Sequence, residues 1–176
     1  MFSDRACHRI RTLLVHTVAA AGALALFAAD RAGGVRVAAA GPIVPLAVVA
    51  NTANPVGDLT SAQLRDLFLG RQTTWSNGRR VTVVLRQDML ERAAIIRLCC
   101  NMTPEEYDRH MLRAVFAGEL ASGPKLVSSD EAVKKFVFNV PGALGAIAAT
   151  DLDSSVRPVR IDGRLPRDSG YRLVIP

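Results

Sequence analysis

Apolar positions along this chain switch repeatedly between two periods, and the switches mark out strands and helices in alternation. Leu46-Ala47-Val48-Val49-Ala50 is a continuous apolar run between Pro45 and Asn51, the pattern of a strand buried on both faces, the kind found in parallel sheets. The loop over residues 51–58 is dense in turn formers. Beyond it, Leu64, Leu67 and Phe68 share one face of a helix over residues 61–69. Thr60 can accept from the Gln63 amide while the Gln63 side chain reaches back, and Gly70 supplies a left-handed stop. Ser76-Asn77-Gly78 turns the chain into Val81-Thr82-Val83-Val84-Leu85, a strand rich in β-branched residues.

The second half repeats the alternation. Asp88, with Glu91 three residues on, caps a helix over residues 89–100 whose stripe is Ala94, Ile95, Leu98 and Cys99. Thr103-Pro104-Glu105-Glu106 starts the next helix with a capping hydroxyl, a proline at the first position and acids in the first turn; it runs toward Phe116-Ala117-Gly118. A looser segment over residues 119–124 leads to the short run Lys125-Leu126-Val127. Ser128-Ser129-Asp130-Glu131 caps a further helix, with Ala132, Val133, Phe136 and Val137 facing one way. Pro141-Gly142 turns into a strand whose Gly145 admits close approach of another backbone or a ligand. Residues 156–161 and 171–175 read as two more strands, with an Asp162-Gly163 turn after the first. Strands alternating with helices predict an α/β fold, a mainly parallel sheet flanked by helices.

The first forty residues stand apart from this pattern. Arg5, His8, Arg9 and Arg11 precede an apolar stretch over residues 13–29, and Val37-Ala38-Ala39-Ala40 offers small residues for cleavage. That order reads as a secretory signal, with residues 1–40 removed and a periplasmic domain left over 41–176. The same stretch approaches the length of a membrane anchor, which is the other reading of it. No later segment is apolar enough to span a bilayer.

Charge and cysteine content narrow the function classes. The chain carries 22 Lys and Arg against 16 Asp and Glu; five basic and two acidic residues precede Gly41, leaving 17 and 14, a net charge of +3. That balance is mild and evenly spread, which argues against nucleic acid. Cys7 lies in the leader, and Cys99 and Cys100 are adjacent, so a disulfide between them needs a strained ring; at least one is expected to be a buried, inert thiol. His110 is the one histidine outside the leader, and Glu106 with His110 reads as a solvated helix pair. No nucleophile elbow, metal-ligand cluster or cofactor motif accompanies them, and Asp151 and Asp153 in a loop are weak as a metal site. These residues predict no enzyme and no cofactor.

Three separated segments resemble the phosphate-type periplasmic ABC-transporter substrate-binding proteins (PstS-like). The first is the strand, the Asn54-Pro55 loop and the helix ending Phe68-Leu69-Gly70, with Trp75 just beyond. The second is the strand over residues 81–85 closing on Arg86, and the third is Val140-Pro141-Gly142-Ala143-Leu144-Gly145. They occur in the family's order over residues 46–150. The customary Tyr after the last segment is replaced by Ala146 and Ile147, and the length suits a short, single-lobe member. In the family an Arg is followed by a loop of Gly, Ser and Thr that holds phosphate at a helix N-terminus. Here Arg86 is followed by Gln87-Asp88-Met89-Leu90-Glu91, and a carboxylate at Asp88 would stand where the anion should go.

The resemblance implies a site at Arg86, Gln87 and Asp88, with Asn51 and Asn54 presenting amides and Trp75 lining a ligand face. Each has a structural reading beside it: Arg86 in an ion pair with Asp88 or another acid, the asparagines as turn caps, Trp75 as a core or loop anchor. Two functions follow. One is a solute-binding module for phosphate or another small anion, handing it to an ABC transporter permease or a sensor. The other is a degenerate lobe that binds a periplasmic or envelope protein. Exposed apolar area at the loop end would favour the protein partner, and a polar concave site the solute.

Overall fold

The capping box expected at Thr60 and the capping hydroxyl expected at Thr103 are both formed, and they fix where the first and third helices begin. In the computed structural model, which describes residues 44–87 and 89–175, Thr60 caps α1 (Ser61–Phe68) and Thr103 caps α3 (Pro104–Phe116), each exchanging bonds with the residue three further on. The leader read over residues 1–40, and Asp88, lie outside the described residues. Helix α2 covers Met89–Cys100 and α4 covers Asp130–Asn139, with Ser129 accepting from the Ala132 amide.

The strands are β1 (Val44–Ala50), β2 (Asp58–Leu59), β3 (Thr82–Arg86), β4 (Lys125–Val127), β5 (Ala143–Ala148), β6 (Arg157–Pro158), β7 (Arg160–Ile161) and β8 (Val174–Ile175). The main sheet runs β4-β3-β5-β1-β6, with β8 added to β1; β2 and β7 form a small parallel pair. The α/β expectation holds. Strands β3, β4 and β5 are parallel, as alternation with helices requires, whereas β1 runs antiparallel to β5, β6 and β8. This corrects the parallel setting expected for β1: an apolar run buried on both faces carries no mark of its direction.

Alternation along β1 divides the core in two. Leu46, Val48 and Ala50 pack with Leu64, Phe68, Ile96 and Tyr107 on the side of α1, α2 and α3. Ala47 and Val49 pack with Val133, Val137 and Ile147 on the side of α4. Each large side chain buried in this way contributes about 1.5–3 kcal/mol, which makes the sheet a rigid base for whatever its edges present.

Several local expectations are corrected. The close approach at Gly145 is made chiefly by side chains of α4: a Cβ there would lie 2.6 Å from Val133 Cγ1 and 3.3 Å from Val137 Cγ2, with the Val84 carbonyl oxygen at 3.5 Å, so its role is to seat α4 on the sheet. The strand expected over residues 156–161 divides, because the chain leaves β1 after Val159 N donates to Val48 O and joins the β2 region when Arg160 N donates to Gly57 O. The strand expected over residues 171–175 shortens to β8; upstream of it the Tyr171 hydroxyl donates to Leu46 O at 2.8 Å. Glu106 and His110 are no solvated pair. The Glu106 carboxylate accepts from the Thr103 amide at 2.8 Å, and His110 Nε2 lies 3.1 Å from Leu69 O at the end of α1.

Candidate functional site

Charged side chains gather inside the fold at the carboxyl edge of β3. Arg86 is the last residue of β3, and it leaves the sheet between the start of α2 and the N-terminus of α4. Its Nη1 donates to Glu91 Oε2 at 2.7 Å and to Asp130 Oδ1 at 3.4 Å. The other carboxylate oxygen of Asp130 accepts from the Ala148 amide at 3.0 Å, which ties the end of β5 to the same cluster. Burial pushes the Asp130 carboxyl above its ordinary range, and the nearby Asp151 carboxyl adds to this; the Ala148 amide and Arg86 pull it back.

Around this cluster the walls are apolar. Leu46, Leu85, Ile95 and Ala146 border a narrow cleft with Arg86, Glu91 and Arg92, and Arg92 is in turn paired with Asp108 of α3. Gln87 is exposed, and its amide donates to Val127 O at 2.7 Å, holding the loop after β3 against β4. Leu90 stands exposed at the start of α2. A half-buried cation between two helix starts is suited to an anion, and here Glu91 and Asp130 already share it.

Of the six residues named from the sequence, the five that are described do not come together. Because β1 is antiparallel, its end lies level with Leu144 at the beginning of β5, whereas Arg86 lies at the other end of the parallel strands. At roughly 3.3 Å per residue, about 13 Å of sheet separates Asn51 from Arg86. Asn51 is buried; its amide nitrogen donates to Val137 O and Phe138 O, and its side-chain oxygen accepts from Ala53 N. Asn54 is buried too, its oxygen accepting from Val56 N at 3.2 Å. Trp75 is 6% exposed and donates its indole N–H to Gly142 O at 3.0 Å. These three hold the amino edge of the sheet, in the structural role set beside each of them.

Sequence reasoning missed Asp130 and Glu91 as partners of Arg86. Glu91 had a usable signal, since a residue five positions beyond a strand-end Arg and early in a helix can turn back to it. Asp130 had none, because its contact with Arg86 spans 44 residues and locally it looks like any acid in a first helical turn.

Both cysteines are buried and free. Desolvation raises both thiols, Cys100 to about 11 and Cys99 further, so neither is a thiolate at neutral pH. A disulfide-exchange reagent at pH 8 should therefore leave the native chain unlabelled at these positions and label both in urea. Rapid native labelling would contradict the burial. Among the described residues no three His, Cys, Asp or Glu side chains are placed to hold a metal ion.

No protein-family model matches the chain. Solved structures do match it. An ABC-type phosphate transport receptor from Vibrio cholerae aligns with a TM-score of 0.60 and 23% identity, over 76% of this chain and 55% of the receptor. A phosphate-bound substrate-binding protein of a phosphate ABC transporter from Clostridium perfringens aligns with a TM-score of 0.58 and 25% identity, over 70% of this chain and 47% of that one. PstS from Borrelia burgdorferi aligns with a TM-score of 0.60 and 13% identity, over 76% and 55%. The chain spans about half the length of the structures it matches.

Proposed function

Starting from its fold, which is that of the phosphate ABC transporter substrate-binding proteins over 76% of its length, we propose that this chain is a non-catalytic solute-binding module that takes a small anion such as phosphate. Arg86 is the anchor in this reading, with Gln87 and Asp88 in the adjoining loop. The observation that carries it is the position of Arg86: a half-buried cation at the carboxyl edge of a parallel strand, next to the N-terminus of α4. In open α/β sheets that edge is where ligands bind. An Arg fork there offers paired N–H donors to an oxyanion, with the helix start adding favourable potential.

Glu91 and Asp130 set the terms of binding. Both hold the guanidinium in place, and both must yield part of it to an incoming anion. Affinity is therefore modest in this reading, and it rises as the carboxylates are protonated. Residues 1–40 act as the export leader that delivers the module to the periplasm, where an ABC transporter permease receives the solute. No helix among the described residues is long and apolar enough to cross a membrane.

The test is calorimetric titration of the chain with phosphate and then sulfate, comparing wild type with Arg86→Ala. Saturable binding lost in the variant is the expected result. Absence of heat and of any thermal shift with either anion would remove the solute reading and leave a protein partner at this edge as the function to pursue.

A further inference from the structure

We propose that the groove between α1 and α2 is a second binding site, for a carboxylate carrying a short apolar tail. A cavity of about 220 Å³ opens there, walled by Ala62 and Leu64 of α1, Leu98 of α2 and Leu173 before β8. Ser61, Arg65 and Cys99 complete it. The site is remote from Arg86: Cys99 lies two helical turns beyond Glu91 along α2, about 12 Å at 1.5 Å per residue.

Chemistry at the groove is that of one cation over an apolar wall. Arg65 is exposed, and its Nε donates to Cys99 O at 3.1 Å, which ties the guanidinium to the end of α2. Its two Nη groups make no hydrogen bond or ion pair to another described residue. Of the nearby acids, Asp66 faces Arg71 at 3.4 Å, while Asp162 stands at the rim, its carboxylate taken up by the amide and the hydroxyl of Ser61. The two buried thiols are neutral and supply no counter-charge. A pre-positioned fork with open donors selects a carboxylate, and the leucine walls select an apolar tail. An apolar cavity of about 150 Å³ takes a benzene-sized molecule, so this one suits a ligand of roughly ten non-hydrogen atoms.

Two sources offer that chemistry, a free medium-chain acid and the C-terminal residue of a peptide. Octanoate and N-acetyl-leucine stand for them in titrations of the full chain, followed by calorimetry and thermal shift, with acetate as the tail-less control. Saturable binding of octanoate or N-acetyl-leucine is expected, with acetate at least tenfold weaker, and whichever of the two binds more tightly identifies the source. Arg65→Met and Leu98→Asp should each weaken it at least tenfold. Arg65→Lys keeps the charge without the fork and should fall between, showing that loss in the first variant is not loss of the fold. Phosphate binding at Arg86 should be unchanged in all three, so failure here and failure of the Arg86 reading are told apart. No saturable signal with either probe, or equal affinity in Arg65→Met, would overturn the proposal; octanoate held by the apolar leader gives that second result.

Discussion

Asp130→Ala should destabilise the chain by about 3 kcal/mol, the sum expected from stranding a buried amide and removing one partner of a half-buried Arg. The Asp130 carboxylate joins the end of β5, through the Ala148 amide, to the end of β3, through Arg86. Alanine leaves the amide unpaired inside the fold and takes one carboxylate from the guanidinium, which keeps its bond to Glu91. Asp130→Asn keeps an oxygen for the Ala148 amide and should cost clearly less than alanine. Urea midpoints of the three proteins measure this, and equal midpoints for alanine and wild type would refute it.

The same carboxyl gives a pH test with a definite sign. Its folded value is raised, so the native chain binds this proton more tightly than the unfolded chain. The resulting stabilisation is complete below the ordinary carboxylate range and declines as pH rises through it, from about pH 4 upward. Asp130→Asn lacks this component. The stability of wild type relative to Asp130→Asn should therefore fall with rising pH over that window, and a difference that grows instead would reverse the assignment.

Gly142→Ala should cost roughly 3 kcal/mol or more, the upper end for an overpacked site. A Cβ at Gly142 would overlap the carbonyl oxygen of Arg80, and backbone cannot step aside as a side chain can. Gly142 O also accepts from the Trp75 indole and from the Thr82 amide, both at 3.0 Å. One residue thus clamps the loop carrying Trp75, the entry to β3 and the entry to β5, and displacing it disturbs all of them. Trp75→Phe removes only the indole bond and some volume, and should cost about 1 kcal/mol from the bond. Denaturation followed by far-ultraviolet circular dichroism suits both variants, and a Gly142→Ala midpoint like that of wild type would mean the turn is looser than described.

What could be read from the chain was set by the range of the interaction. Helix starts at Thr60 and Thr103 are decided within four residues, and both were legible. So was the α/β class, because each element declares its own period. Strand direction was not, and the consequence reached the candidate site: with β1 taken as parallel, Asn51 and Asn54 fall beside Arg86, and with β1 antiparallel they fall at the opposite edge. Gly145 was marked correctly as a place of close approach, but only the fold shows that the approaching group is α4. Arg86 was legible as a strand-end cation, while the partner that most constrains it lies in another helix.

The antiparallel β1 also bears on how the protein is assembled in time. Every strand that pairs with β1 lies in the last third of the chain, and the Tyr171 hydroxyl reaches back to Leu46 across 125 residues. Closing so long a loop costs entropy before any contact repays it, so pairings of this kind form slowly. The parallel trio β3, β4 and β5 with α4 is closer in sequence and can organise first. The earliest of the described strands is then the last to be seated, and until it is, the edge of β5 that it covers is open to any other extended segment.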